Sequence, residues 1–126
     1  MAKRVSTERS IKELGGEVGY TVRFDDVSDK KRTIIKYVTD GILVRECLID
    51  PDLSEYSVVI LDEAHERSLN TDILFALVKQ AVQRRQGTLR LVITSATLRT
   101  DQLSSYYYSC PLLSVSGRCF PVSILH

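Results

Sequence analysis

Two adjacent carboxylates, Asp62 and Glu63, are the residues whose type and position best suit them to catalysis. They follow Val58-Val59-Ile60-Leu61, a run of four apolar residues that predicts a buried strand of a parallel sheet. In open α/β sheets, reactive groups lie at the carboxyl ends of strands. Two carboxylates there can hold a divalent cation, usually through water, and can orient or deprotonate an attacking water.

Such a carboxylate pair is one of the two parts of a nucleotide-hydrolysing site, the part that holds the cation and the attacking water. The other part is a phosphate loop, and its pattern G-x-x-x-x-G-K-[ST] does not occur in the 126 residues.

A second class of function, metalloprotease, is indicated by His65-Glu66, which are the first two residues of the pattern H-E-x-x-H. Position 69 is leucine, so the metalloprotease reading fails.

Composition sets limits on the partners. The formal net charge is +1 with 26% charged residues, so any contact with nucleic acid must be local. No apolar run reaches the roughly 18 to 20 residues that span a membrane, and the start lacks a signal-peptide pattern, so we expect an intracellular protein. Three cysteines without C-x-x-C spacing argue against a disulfide framework or a zinc site, which leaves ordinary reduced thiols.

The first half of the chain predicts two strands and a helix. Residues 18–24 alternate apolar and polar, and residues 33–38 are β-branched and aromatic. The second strand ends at Thr39-Asp40-Gly41, where Thr39 or Asp40 can cap a helix that starts near residue 42. A capped helix start can also bind a phosphate. Arg23 lies on the polar side of the first strand, and its spacing alone predicts a solvent-exposed residue.

The second half predicts a parallel crossover. Residues 56–61 form the central strand, Asn70 or Thr71 caps an amphipathic helix, and residues 89–94 form the next strand. This topology places Ser95 and Thr97 beside Asp62 and His65, although the two hydroxyls could simply satisfy loop backbone groups. The flanks predict a helix over residues 2–14, a polar loop over 25–32, a short helix capped by Thr100 and a strand over 112–115.

These residues resemble the DEAH-box RNA helicases. Asp62-Glu63-Ala64-His65 is similar to the box that names the family, and Glu66-Arg67 follow it as is usual there. Thr39-Asp40-Gly41 resembles motif Ib, and Ser95-Ala96-Thr97 resembles motif III. Further family landmarks are Gly19-Tyr20, Arg23-Phe24, Gly117-Arg118 and Phe120-Pro121.

The resemblance implies a fold and a set of roles. It implies an α/β, partial RecA-like three-layer αβα domain with a mostly parallel sheet, with residues 1–126 as an incomplete first RecA-like domain and no second domain. Asp62 and Glu63 would hold Mg²⁺, largely through water, with Glu63 as general base, and His65 would link the site to motif III. Ser95 and Thr97 would couple nucleotide state to the RNA surface, which Thr39, Asp40, Gly41 and Arg23 would form.

The expected function is therefore that of a segment of an ATP-dependent RNA helicase, with ATP and Mg²⁺ as cofactors. The expected partners are RNA, ATP and an accessory activator protein, without a membrane, in the nucleus or cytoplasm. The alternative is a non-enzymatic remnant or isoform that binds RNA or a protein partner without hydrolysing ATP. Without a phosphate loop, we expect the 126 residues to be inactive and to fold poorly alone.

Overall fold

The structure, a computed structural model, describes residues 1–11, 13–66, 68–96, 100–115 and 117. Its combination of helices and parallel strands confirms the predicted α/β class and is consistent with a partial RecA-like domain. The chain divides into two units, Met1–Ala96 and Thr97–His126. In chain order, the elements are α1 (Ala2–Glu8), β1 (Val18–Val22), β2 (Asp25–Val27), β3 (Ile35–Val38), α2 (Asp40–Ile49), β4 (Val58–Leu61), a 3₁₀ turn (Ala64–Glu66), α3 (Leu69–Arg84), β5 (Arg90–Ile93) and α4 (Thr100–Tyr106).

The first sheet has the strand order β2-β1-β3. β1 and β3 run parallel, with Val18 opposite Ile35 and Tyr20 opposite Tyr37. α2 begins directly after β3, and Thr39 occupies its N-cap with an extended backbone. The two predicted strands and the predicted helix are confirmed here, because the β-branched and aromatic residues of both strands suit a pleated surface.

The prediction of an irregular polar loop over residues 25–32 is wrong at its start, since Asp25–Val27 forms β2. β2 pairs antiparallel with β1, and only Arg23 and Phe24 separate the two strands. In such a tight hairpin the backbone pairing itself supplies the hydrogen bonds, so a polar segment can form a strand without an apolar period.

Gly19 allows the close approach of β1 to the end of β2. A Cβ atom at position 19 would lie 2.6 Å from the carbonyl oxygen of Val27, a distance that no side chain tolerates. The Tyr20 hydroxyl donates a 2.8 Å hydrogen bond to Asp25 across the same pair of strands. The hairpin is therefore fixed by backbone proximity as well as by side chains.

The second sheet consists of β4 and β5, which are parallel as predicted. Val59 and Leu61 are buried, whereas Val58 and Ile60 are 46% and 60% exposed. Because successive side chains of a strand point to opposite faces, β4 is covered on one face only. The prediction of a buried strand thus holds for half of its side chains.

α3 covers that buried face. Its side chains Leu74, Val78 and Ala81 are fully buried, as the 3.6-residue period predicts. The predicted caps, Asn70 and Thr71, are wrong, because Ser68 is the N-cap and its hydroxyl accepts a 3.1 Å hydrogen bond from the Thr71 amide. Together with α2 and the two strands, α3 encloses the core formed by Leu43, Cys47, Leu53, Val59, Leu61, Leu74, Val78, Ala81 and Leu89.

A polar cluster joins β3, α2 and the segment before β4. The Lys36 ammonium lies 2.7 Å from Glu46 Oε1, and the Tyr56 hydroxyl donates a 2.7 Å hydrogen bond to Glu46 Oε2. Burial, reinforced by the neighbouring Glu46 carboxylate, raises the pKa of Tyr56 to about 12. The cluster therefore connects the strand that leads to Thr39 with the strand that leads to Asp62.

The terminal segments depart from the predictions. α1 ends at Glu8 rather than at residue 14, since its apolar stripe is too thin to hold a longer helix against a core. In the second unit, α4 forms as predicted, but residues 112–115 form no strand, and Leu113 and Val115 are exposed. An isolated apolar run without a pairing partner does not make a sheet.

Several predicted landmarks lie outside the described residues: Arg67, Thr97, Arg118, Phe120 and Pro121. Of the described cysteines, Cys47 and Cys110 are free thiols, in line with the sequence, and burial raises the pKa of Cys47. Within the described part of the chain, no helix is long and apolar enough to cross a membrane.

Candidate active site

The carboxyl ends of β4 and β5 bring the candidate catalytic residues together. The register pairs Leu61 with Ile93, so the next residues, Asp62 and Thr94, also lie side by side. The Thr94 amide donates a 3.0 Å hydrogen bond to the Leu61 carbonyl, and the Ala64 amide donates one of 3.0 Å to the Thr94 carbonyl. The backbone of β5 thus extends its pairing into the Asp-Glu-Ala-His segment.

Thr94 is a site residue that the sequence did not reveal. Its hydroxyl donates a hydrogen bond to Asp62 Oδ1 and accepts one of 3.3 Å from the Glu63 amide. The only signal in the sequence is a hydroxyl residue at the end of a strand. Its meaning depends on the strand register, which places it opposite Asp62.

Glu63 has an unusual backbone conformation. Its φ of 54° lies in the left-handed region, which costs a residue with a side chain about 1 to 2 kcal/mol. Its side chain is 61% exposed, so the carboxylate is accessible to a ligand.

His65 connects Glu63 to the segment that follows β5. Its Nε2 atom lies 3.3 Å from Glu63 Oε2, and its Nδ1 atom accepts a 3.3 Å hydrogen bond from the Ala96 amide. Because Nδ1 is an acceptor, the ring proton of the neutral histidine resides on Nε2 and can be donated to Glu63. Ser95, exposed, lies next to this contact, whereas Thr97 is outside the described residues.

Asp62 and Glu63 are suited to hold a magnesium ion. Mg²⁺ prefers oxygen ligands, retains several waters and is usually bound by one or two carboxylates together with phosphates of the substrate. Both residues are exposed at the strand end. Across the described parts of the chain, no cluster of three or more potential metal ligands forms, so this pair would leave most coordination positions to water and substrate.

Comparison of the sequence with known proteins identifies a relative of this chain. No protein-family model matches the chain. The chain is 53% identical over 126 residues to the pre-mRNA-splicing factor ATP-dependent RNA helicase prp22 of Schizosaccharomyces pombe. Over its whole length, the chain is therefore similar to one segment of a DEAH-box RNA helicase. The match covers 100% of the chain but 10% of the yeast protein.

Thr39-Asp40-Gly41, the segment that resembles motif Ib, lies where β3 meets α2, and all three residues are exposed. The prediction that Thr39 occupies the cap position is confirmed, but its side chain makes no capping hydrogen bond. The Thr39 hydroxyl is therefore accessible beside the amides of a helix start, where backbone N–H groups favour an anion.

The DEAH-box landmark Arg23-Phe24 forms the tip of the β1–β2 hairpin rather than the end of a strand. Phe24 has a φ of 70° and is 94% exposed. The Arg23 guanidinium stacks on its ring, 4.9 Å from the centroid. A cation and an aromatic face are thus presented together to solvent.

Proposed function

We propose that the chain forms part of the first RecA-like domain of an ATP-dependent RNA helicase, in which ATP hydrolysis is coupled to unwinding or remodelling of RNA. The observation that carries the proposal is the junction at the carboxyl ends of β4 and β5. There, Thr94 contacts Asp62, and His65 bridges Glu63 to Ala96. Such a junction can relay a change at the nucleotide to the segment beyond β5.

Asp62 and Glu63 have separate roles in this proposal. Asp62, restrained by the Thr94 hydroxyl, would hold Mg²⁺. Glu63 orients the attacking water and accepts its proton, a role that its exposed carboxylate permits. When bound, Mg²⁺ neutralises the charge that develops on the phosphate oxygens.

His65 serves to position Glu63. The hydrogen bond from Ala96 fixes the ring, and the Nε2 proton then faces the Glu63 carboxylate. Ser95 and Thr97 are assigned to coupling between the nucleotide site and the RNA surface, because they flank this contact in the sequence.

The RNA surface is assigned to two exposed segments. Thr39, Asp40 and Gly41 lie at a helix start, and Arg23 lies at a hairpin tip. Contacts of this kind, from hydroxyls, helix amides and arginine, go mainly to phosphates and do not read bases. The RNA would therefore be held without regard to its sequence.

The yeast relative is named as a pre-mRNA-splicing factor, and its name supports RNA and ATP as partners of the intact helicase that contains this chain. We place that helicase in the nucleus or cytoplasm, acting with an accessory activator protein. The chain spans about a tenth of the relative's length, so these partners are proposed for the whole protein.

The test is a chimeric helicase, in which residues 1–126 replace the matching segment of the yeast relative. We expect the chimeric helicase to hydrolyse ATP, to be stimulated by single-stranded RNA and to separate an RNA duplex only when ATP is present. The unmodified yeast protein is the control. RNA binding with hydrolysis no faster than in buffer would contradict the proposal and identify the chain as a non-enzymatic remnant.

A further inference from the structure

Two helix starts meet in the larger unit. α2 begins at Asp40, α3 begins at Leu69, and the two helices pack against each other. At their meeting point, Asp40 Oδ2 accepts a 2.6 Å hydrogen bond from the Thr71 hydroxyl and a 3.3 Å bond from the Ser68 hydroxyl. The first residue of one helix therefore holds the first turn of the other.

The contact is built on the cap of α3. The Ser68 hydroxyl accepts from the Thr71 amide at 3.1 Å and lies 2.7 Å from the Thr71 hydroxyl. Thr71 is only 7% exposed, so its hydroxyl needs a partner within the protein. Hydrogen bonds to a carboxylate are shorter and stronger than those between neutral groups, which makes Asp40 a firm acceptor.

The contact lies between the segment assigned to RNA and the residues that follow the catalytic pair. Asp40 lies between Thr39 and Gly41 in the segment assigned to RNA, and Ser68 follows His65 by three residues. Three residues span at most about 11 Å, so Ser68 lies near His65. The Asp40 carboxylate itself would repel an RNA phosphate, so its contribution to this segment is positional.

We infer that Asp40 is a positioning residue, which couples the RNA-facing segment 39–41 to the start of α3 and through it to the Asp62–His65 segment. This inference rests on the proposed function. Binding of RNA at 39–41 shifts Asp40, and the hydroxyls of Ser68 and Thr71 carry the shift to the residues that follow the catalytic pair.

The test is Thr71→Val in the chimeric helicase, because valine keeps the shape of threonine and removes the hydroxyl. The readout is the ratio of ATP turnover with saturating oligouridylate to turnover without RNA. We expect this ratio to fall about fivefold, the lower end of typical coupling between sites. Turnover without RNA should stay near that of the parent, and Thr71→Ser, which restores the hydroxyl, should restore the ratio.

Thr88→Val is the matched control, since Thr88 lies beyond the other end of α3 and its hydroxyl donates a 2.8 Å bond to the Arg85 carbonyl. This control variant should leave the ratio unchanged.

Asp40→Asn provides a second variant, which keeps a side-chain oxygen as hydrogen-bond acceptor but loses the negative charge. It should lower the ratio by less than Thr71→Val. The inference is overturned if Thr71→Val and Thr88→Val give the same ratio, or if turnover falls equally with and without RNA.

These outcomes separate the inference from the proposed function. A parent chimera that RNA does not stimulate contradicts the proposed function itself. A stimulated parent whose ratio is insensitive to Thr71→Val and Asp40→Asn contradicts only the coupling by Asp40.

Discussion

The Thr94 hydroxyl lies between the two carboxylate residues of the candidate site. It donates to Asp62 Oδ1 and accepts from the Glu63 amide, so it restrains both the proposed magnesium ligand and the strained residue beside it. Groups that orient metal ligands in this way usually matter nearly as much as the ligands themselves.

Replacement of Thr94 tests this restraint. In the chimeric helicase, Thr94→Val removes both hydrogen bonds at constant side-chain shape. We expect the Mg²⁺ concentration that half-saturates ATP turnover to rise about tenfold, because an orienting partner of the metal ligand is lost. Thr94→Ser, which keeps the hydroxyl, should titrate like the parent, and equal magnesium dependence in all three proteins would rule out this role.

At this scale, the sequence pointed to Asp62 and Glu63 as candidate residues but did not give their contacts. Their place at the end of a strand could be predicted, because they follow a run of four apolar residues. Thr94 and Ser68 could not, because a threonine or serine acquires its meaning from the atom opposite it. That atom is set by strand register and helix packing, which a local pattern does not record.

Elements with a clear pattern of apolar residues were predicted well. β4, α3 and β5 follow from apolar spacing, since each buries one face against the others. The hairpin strand β2 was missed because it is polar and exists by pairing with β1. Residues 112–115 were wrongly assigned as a strand, since none of the described strands pairs with them. Pairing, more than propensity, decided both cases.

The missed hairpin presents Arg23 and Phe24 at its tip, which allows the proposed phosphate contact of Arg23 to be tested. In the chimeric helicase, we expect Arg23→Ala to weaken binding of oligouridylate and oligoadenylate by the same factor. The slope of log affinity against log salt should decrease by about 0.7, the value for one phosphate contact with a single strand. Binding measured over a salt series gives both quantities.

Arg4→Ala serves as the control for this measurement. Arg4 is an exposed arginine of α1 whose guanidinium pairs with Glu8, 2.8 Å away, and it should leave the salt slope unchanged. A change of base preference in Arg23→Ala at constant salt slope would contradict a phosphate contact.

On the scale of the whole molecule, the described strands form two separate sheets, and the second is apolar and open on one face. Val58, Ile60 and Val92 are exposed there. Parallel strands are normally covered on both faces, so we expect other parts of an intact helicase to cover this one. The chain spans 10% of the length of its yeast relative. Within the chain, the candidate site consists of Asp62 and Glu63 together with Thr94 and His65, which contact them.

The central claim is that Glu63 is the general base of an ATPase, and the most direct measurement is ATP turnover by the chimeric helicase with Glu63→Gln. Glutamine keeps the shape of the side chain but cannot accept the proton of the attacking water. We predict that turnover falls by about 10²- to 10⁴-fold, the usual contribution of general-base assistance, while ATP binding stays within about twofold. Retention of more than half the turnover would contradict the assignment of Glu63.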